Sequence, residues 1–212
     1  MRNLENIPAC NDCFRVNTLF SNLSNDELNI LTFEKGCNFY KRGNIVYQER
    51  NRIGGIYCLS KGVIKLFKTG IDGKEQIIRF AQKGDIIGYR SILSQELACT
   101  TAKVIEDAVL CFIPANLFIN MVKENSDFSM QIMRLSLKEL GEANKFIIDI
   151  AQKTVRERLA EILILLQNTF LLDSEKYLQV SLTREELANL VGTATESVIR
   201  LLSEFKSLCL KL

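Results

Sequence analysis

Apolar and polar positions change period along the chain, and the changes mark three regions. Between Phe33 and about Ile113, short β-prone runs recur: Ile45–Tyr47, Gly55–Leu59, Val63–Phe67, Glu75–Phe80, Thr101–Ile105 and Val109–Ile113. Turn residues separate them, at Arg42-Gly43-Asn44, Lys61-Gly62, Asp72-Gly73, Lys83-Gly84-Asp85 and Glu106-Asp107. Many short strands with glycine turns and no intervening helix predict a compact β-roll or barrel. Ahead of it, Ser24-Asn25-Asp26-Glu27 predicts a helix start, with the serine as cap and the glutamate closing a capping box before Leu28, Ile30 and Leu31.

After residue 113 the period becomes helical. Pro114 fits the first turn of a short helix reaching about Val122, and a longer helix begins near Ser126. Within the long helix Met130, Met133, Leu137, Leu140, Asn144, Ile147 and Ala151 are spaced 3-4-3-4-3-4. Such a heptad seam wants a second helix, and its single polar Asn144 favours a parallel homodimer. The alternative is a helix packed on its own domain. A further helix is expected from Thr154 to about Asn168, with Val155, Leu159, Ile162, Leu163 and Leu166 on one face. Residues 171–182 are less regular and read as a short hairpin or loop.

The stretch from Ser181 to Phe205 has the punctuation of a helix-turn-helix. Thr183 caps a first helix with Glu186 three residues on, Ala188 is small where helices cross, and Gly192 breaks the chain just after Val191. Thr193 or Thr195 starts the second helix, whose Val198, Leu201, Leu202 and Phe205 face inward. Thr195, Glu196, Ser197, Ile199 and Arg200 then remain outside. An arginine there can donate twice to guanine, and a glutamate can accept from the cytosine amino group. Thr183, Arg184 and Thr193 complete the candidate DNA-facing set. The plain alternative is a helical hairpin with a capped start and a solvated face.

Composition narrows the chemistry. The apolar share of 47% is ordinary for a globular chain, and no run of 18 apolar residues suggests a membrane span. The first six residues lack a signal core, so a cytoplasmic location is expected. Net charge is +2, and residues 151–212 carry eight basic and eight acidic side chains, so no bulk positive field marks a nucleic-acid domain. Histidine is absent, which removes the commonest general base and metal ligand. No nucleophile–base pair, phosphate-loop lysine motif or dinucleotide fingerprint is present, so an enzyme is not expected. Seven cysteines in a cytoplasmic chain do not read as a disulfide framework. Cys37, Cys58 and Cys111 sit in strand-like apolar surroundings, where cysteine usually acts as a small core residue.

From about Leu19 to Leu210 the chain resembles the cyclic-AMP receptor / fumarate-nitrate-reduction regulator (CRP/FNR) family of bacterial transcription regulators. The resemblance rests on Lys61-Gly62-Val63-Ile64-Lys65 and Gly84-Asp85-Ile86-Ile87-Gly88, on Thr154-Val155-Arg156-Glu157-Arg158-Leu159-Ala160, and on Leu182-Thr183-Arg184-Glu185-Glu186-Leu187-Ala188 followed by Gly192 and Glu196-Ser197-Val198-Ile199-Arg200-Leu201-Leu202. It implies an α+β chain: a cyclic-nucleotide-binding-like β-roll sensor over 1–122, a dimerisation helix over 123–151, and a winged-helix-like helix-turn-helix domain over 152–212. The family's β wing beyond the recognition helix is expected to be truncated or missing, since the sequence stops at Leu212. The implied function is sequence-specific recognition of palindromic DNA by a homodimer that also touches RNA polymerase, with Glu196 and Arg200 on base edges and Thr195 beside them. Ile199 stands where anaerobic regulators often carry serine, which suggests apolar contact with a thymine methyl.

The resemblance leaves the signal open. Cyclic-nucleotide members hold ribose and phosphate with a glutamate and an arginine, and a gap-free match places Tyr89 and Thr100 at those positions. Classical cyclic-AMP binding is therefore not expected, because a buried phosphate would lack its countercharge. Another small effector would lie around Tyr89, Arg90, Ser91, Thr100 and Thr101, with Arg90 as the nearby cation if it turned inward. Oxygen-sensing members pair N-terminal cysteines with one in the β-roll, and Cys111 matches the internal position. Here only Cys10 and Cys13 precede it, and the place of a third, near Leu19, holds no ligand. Three thiolates and an unidentified fourth ligand would hold an iron–sulfur cluster. The remaining possibilities are a Cys10–Cys13 thiol switch, inert cysteines, and a dimeric interaction protein that has lost DNA binding.

Overall fold

The computed structural model describes residues 18–170, 173, 174, 177, 178 and 180–209. Cys10, Cys13 and the expected missing wing lie outside the described residues. The chain divides into two compact units, one of Met1–Lys68 with Ile78–Glu139 and the other of Thr69–Ile77 with Leu140–Leu212.

The first unit is the β-roll. A 3-10 turn (Thr18–Phe20) and helix α1 (Asn25–Glu34) lead into β1 (Gly36–Tyr40), β2 (Ile45–Tyr47), β3 (Gly55–Thr69), β4 (Glu75–Ala81) and β5 (Ile86–Ile87). Helix α2 (Tyr89–Ser94), β6 (Thr101–Pro114) and α3 (Ala115–Glu124) follow. The sheet runs β1-β6-β3-β4, with β2 on β6 and β5 on β3. The α1 start is as expected: Ser24 accepts from the Glu27 amide while Glu27 reaches back to the Ser24 amide at 2.7 Å.

Three details correct the sequence reading. The runs on either side of Lys61-Gly62 form one strand, β3, and those flanking Glu106-Asp107 form another, β6. The two interruptions face each other, with Lys61 opposite Val109 and Val63 opposite Glu106, so they are register shifts inside a continuous ladder rather than turns. Gly62, at φ +91°, is needed there, because a Cβ would lie 2.5 Å from the Asp107 carbonyl oxygen. The third correction is α2, a helix between β5 and β6 where none was expected.

Helix packing closes one end of the roll. Phe128, on α4 (Ser126–Gln152), is fully buried between Phe20 and Phe118, at ring separations of 5.7 and 5.9 Å. Burying an aromatic ring of this size contributes about 1.5–3 kcal/mol. Asn125 fixes the α3–α4 corner through its side chain: Oδ1 accepts from the Phe128 amide at 2.9 Å, and Nδ2 donates to Glu27 Oε1 at 3.0 Å.

The second unit contains the end of α4 and three further helices, α5 (Val155–Phe170), α6 (Arg184–Val191) and α7 (Thr195–Cys209). Leu159, Leu166, Leu187, Ala188, Val198 and Leu201 form its buried side. The boundaries agree with the periodicity to within one or two residues. Among the described residues, no helix is long and apolar enough to cross a membrane.

Candidate functional site

The helix-turn-helix is set by two local devices. Thr183 accepts from the Glu186 amide at 3.1 Å while Glu186 accepts from the Thr183 amide at 3.0 Å, so the first turn of α6 is capped from both sides. Gly192 ends the helix in the left-handed region at φ +71°, and its amide donates to the Ala188 carbonyl at 2.9 Å. The α7 helix then starts at Thr195. Ala188 and Val198 are fully buried where the two helices cross.

With Val198 and Leu201 inside, the opposite face of α7 is open. Glu196, Ile199 and Arg200 are exposed, and Thr195 and Ser197 are half-buried. Thr183 and Arg184 are exposed at the start of α6, and Thr193 is half-buried in the turn. The Thr183 hydroxyl is engaged in the cap. Arg200 is not idle either: its Nη1 lies 2.9 Å from Glu204, whose other oxygen takes Arg156 at 2.8 Å. The guanidinium of Arg156 also lies over the Phe205 ring, 5.1 Å from its centroid.

Sequence reasoning missed the groups that hold the turn. Arg158 donates from Nε to the Val191 carbonyl at 3.0 Å, from Nη1 to that of Lys153 at 2.7 Å, and from Nη2 to that of Gly192 at 3.4 Å. Gln76 Nε2 donates to the Asn189 carbonyl at 2.6 Å, and Lys74 Nζ to that of Thr193 at 2.9 Å. The carbonyls at the end of α6, which have no helical partner of their own, thus find side-chain donors. Arg158 stands within the quoted Arg156-Glu157-Arg158 motif, so its position carried a signal. Nothing local marked Lys74 or Gln76.

The heptad positions of α4 lie open in the single chain. Met130, Met133, Leu137, Leu140 and Ile147 are between 47% and 64% exposed, and Asn144 and Ala151 are exposed as well.

In the β-roll, the expected effector residues separate. Tyr89 is buried to 3% exposure and hydrogen-bonded to Glu139 and Ser136. Burial, and then donation to Glu139, push its phenol well above the usual tyrosine value. Tyr47, hydrogen-bonded to Thr100, is pushed up to about 12, chiefly by burial. Ser91 and Thr101 are buried and serve the framework: Ser91 donates to the Leu97 carbonyl at 3.4 Å, and Thr101 accepts from the Glu49 amide at 3.0 Å. Arg90 is exposed. The cation beside Tyr89 is Arg79, whose Nη2 is 3.0 Å from Glu139 Oε1. Arg79, Glu139, Ser136 and Tyr47 were not foreseen, because they come from three elements, β4, α4 and β2, far apart along the chain.

Cys111 is buried and lies directly opposite Cys37 on β1 and Cys58 on β3, so three thiols share one row of the sheet. Their face belongs to the apolar core around Phe118 and Phe128. Among the described residues, no group of three or more cysteine or carboxylate side chains is arranged to hold a metal ion. The donor set for an iron–sulfur cluster is therefore not assembled by these residues.

Comparison with known proteins meets this geometry at both ends of the chain. Residues 37–125 match the cyclic nucleotide-binding domain, and residues 157–209 match the Crp-like helix-turn-helix domain. The chain belongs to the CRP/FNR family. Over 168 residues it is 26% identical to the regulatory protein HlyX of Actinobacillus pleuropneumoniae, covering 78% of this chain and 70% of that one. To the electron transport regulator A of Shewanella oneidensis it is 28% identical, covering 78% and 67%. The chain thus spans about two thirds of the length of these relatives. Its fold is similar to that of the c-di-GMP-responsive regulator CLP of Xanthomonas campestris, with a TM-score of 0.76 at 16% identity, covering 87% of this chain and 92% of that one. Like other CRP/FNR proteins, the chain is a transcription regulator with a helix-turn-helix DNA-binding domain, not an enzyme.

Proposed function

We propose that this CRP/FNR regulator works as a homodimer that reads palindromic DNA with α7, under control of a small effector bound in the β-roll. Residues 1–122 would sense, 123–151 would pair, and 152–212 would bind DNA. The observation that carries the reading is the exposed face of α7, held outward by buried Val198 and Leu201. Glu196 and Arg200 lie on it one turn apart, where a recognition helix offers base-reading groups to the major groove. Thr195, Ser197 and Ile199 flank them, and Thr183, Arg184 and Thr193 sit where phosphates would pass.

Pairing is supported by the open seam of α4. A stripe of this length is too apolar to remain in water, and a second copy offers the complementary stripe. The two recognition helices would then meet half-sites about one turn of DNA apart, roughly 34 Å. RNA polymerase is the further partner that a regulator of this type needs.

Cyclic AMP does not suit the pocket. The resemblance puts Tyr89 and Thr100 where the sugar- and phosphate-binding side chains would be, and Arg90 is exposed. A different small molecule would bias the roll against the pairing helix and so change the spacing of the recognition helices. The row of Cys37, Cys111 and Cys58 supports a second reading, thiol-based control, in which oxidation would disturb the core around Phe118.

Selection of bound duplexes from a random DNA pool tests both readings, with protein purified anaerobically and again after exposure to air. A palindrome enriched in both preparations is expected for effector control, and one enriched in only one preparation would favour the thiols. No enriched motif in either would overturn DNA recognition by α7.

A further inference from the structure

Where α4 passes the β-roll, a cluster of mostly part-buried polar side chains is used by neither α7 nor the pairing seam. Arg79 enters it from β4, Tyr47 from β2, Tyr89 from the start of α2, Thr100 from the residue before β6, and Ser136 and Glu139 from α4. Hydroxyl and guanidinium donors predominate, and Glu139 supplies the carboxylate.

One oxygen of that carboxylate is poorly served. Its Oε1 is buried and has no hydrogen-bond donor. Arg79 Nη2 lies 3.0 Å away, yet no N–H points at the oxygen; Nη2 donates instead to the Ile86 carbonyl at 3.2 Å. The contact is one of charge only. On its other side, Arg79 Nη1 is 3.8 Å from Asp85 Oδ2, which accepts from the Gln82 amide at 2.9 Å. A guanidinium is built to take an oxyanion through two parallel N–H bonds, and here it makes neither such pair. A buried carboxylate oxygen without a donor costs free energy that a better-placed anion would recover.

We propose that this cluster is a receptor for a small oxyanion, a carboxylate or phosphate group, which Arg79 takes up in place of Glu139. Glu139 is the internal stand-in that faces the Arg79 charge in the unliganded chain. The Tyr47 and Tyr89 hydroxyls, kept protonated by burial, are neutral donors that bind an anion without needing a proton. The countercharge lost where Thr100 replaces arginine is thus provided from a different strand. Because Glu139 belongs to α4, between the seam residues Leu137 and Leu140, its release reports ligand occupancy on the pairing helix itself. The inference rests on the effector-controlled reading given above.

Calorimetry on the full chain tests it with two probes, inorganic phosphate and succinate, applied separately. Glu139→Gln removes the competing charge and is expected to bind at least one probe about tenfold more tightly than the parent. Arg79→Gln is expected to abolish uptake, and Arg79→Lys, which keeps the charge without the fork, to weaken it. Uptake of phosphate alone or succinate alone identifies the anion. Equal affinity in the parent and Glu139→Gln, or uptake that survives Arg79→Gln, would overturn the proposal, as would no uptake of either probe by both parent and Glu139→Gln. Thermal melts establish that each variant folds; if Arg79→Gln does not, the Glu139→Gln and Arg79→Lys comparisons decide. DNA-pool selection on the same preparations separates the two levels. An enriched motif without anion uptake overturns only this inference, whereas no motif at all overturns the proposed DNA recognition by α7 beneath it.

Discussion

Arg200 and Glu204, one helical turn apart on α7, are joined at 2.9 Å, and the same carboxylate holds Arg156 at 2.8 Å. Glu204 therefore competes with DNA for the arginine proposed to read a base. Exposed pairs of this kind contribute about 0.2–1 kcal/mol. Glu204→Gln is expected to tighten binding of the selected duplex about two- to fivefold. Arg200→Ala should cost about 1–3 kcal/mol on that duplex and relax preference at one base pair of each half-site. Fluorescence anisotropy on the selected duplex and its single-base variants measures both, and uniform loss across all variants would reduce Arg200 to a phosphate contact.

Arg158 presents three donors to the carbonyls of Lys153, Val191 and Gly192, so one side chain ties the entry of α5 to the turn of the DNA-reading motif. Arg158→Met keeps much of the stem but leaves those carbonyls without their donor. A hydrogen bond to a charged group contributes about 1.5–3 kcal/mol, and loss of at least that much stability is expected in denaturant unfolding followed by helical circular dichroism. Arg158→Lys, a point charge without the fork, should recover only part of it.

Gly192 occupies a left-handed backbone position where a Cβ would lie 2.9 Å from the Ile150 methyl carbon. Gly192→Ala is expected to cost about 1–3 kcal/mol from backbone conformation alone. A melting temperature unchanged from the parent would show that the turn relaxes freely.

Leu137 and Leu140 lie mid-seam, with more than half of each side chain exposed in the single chain. Leu137→Glu places like charges opposite one another in a paired helix, so sedimentation analysis should show the dimer shifting to monomer, and DNA binding should fall with it. Glu substitution at Lys145, outside the seam, should leave the assembly unchanged.

The Glu27 carboxyl is held below its ordinary value of 4.5, first by the Asn125 hydrogen bond and then by the Ser24 amide. A carboxyl with a lowered folded pKa stabilises fully above the unfolded value, and that contribution disappears as pH falls through the folded one. The loss should therefore lie below about pH 4.5. Comparing acid titrations of Glu27→Gln and the parent, the variant should lack this component while matching the parent's slope above that range.

Local physics made much of this protein readable from its residues. The boxes at Ser24 and Thr183 act within four residues of sequence, so their chemistry alone fixes where α1 and α6 begin. The break at Gly192 is equally local, and the structure places it in the left-handed turn that ends α6. Three-dimensional packing decided what those rules could not see. Gly62 and Glu106-Asp107 look like turns, but each meets the other's irregularity across the ladder and becomes a bulge, because partner strands determine whether a break bends or reverses the chain. Arg79, Tyr89 and Glu139, fifty and more residues apart from first to last, become one electrostatic unit only when β4, α2 and α4 pack together. A charge's partner depends on distance in space, and spacing along the chain does not encode it.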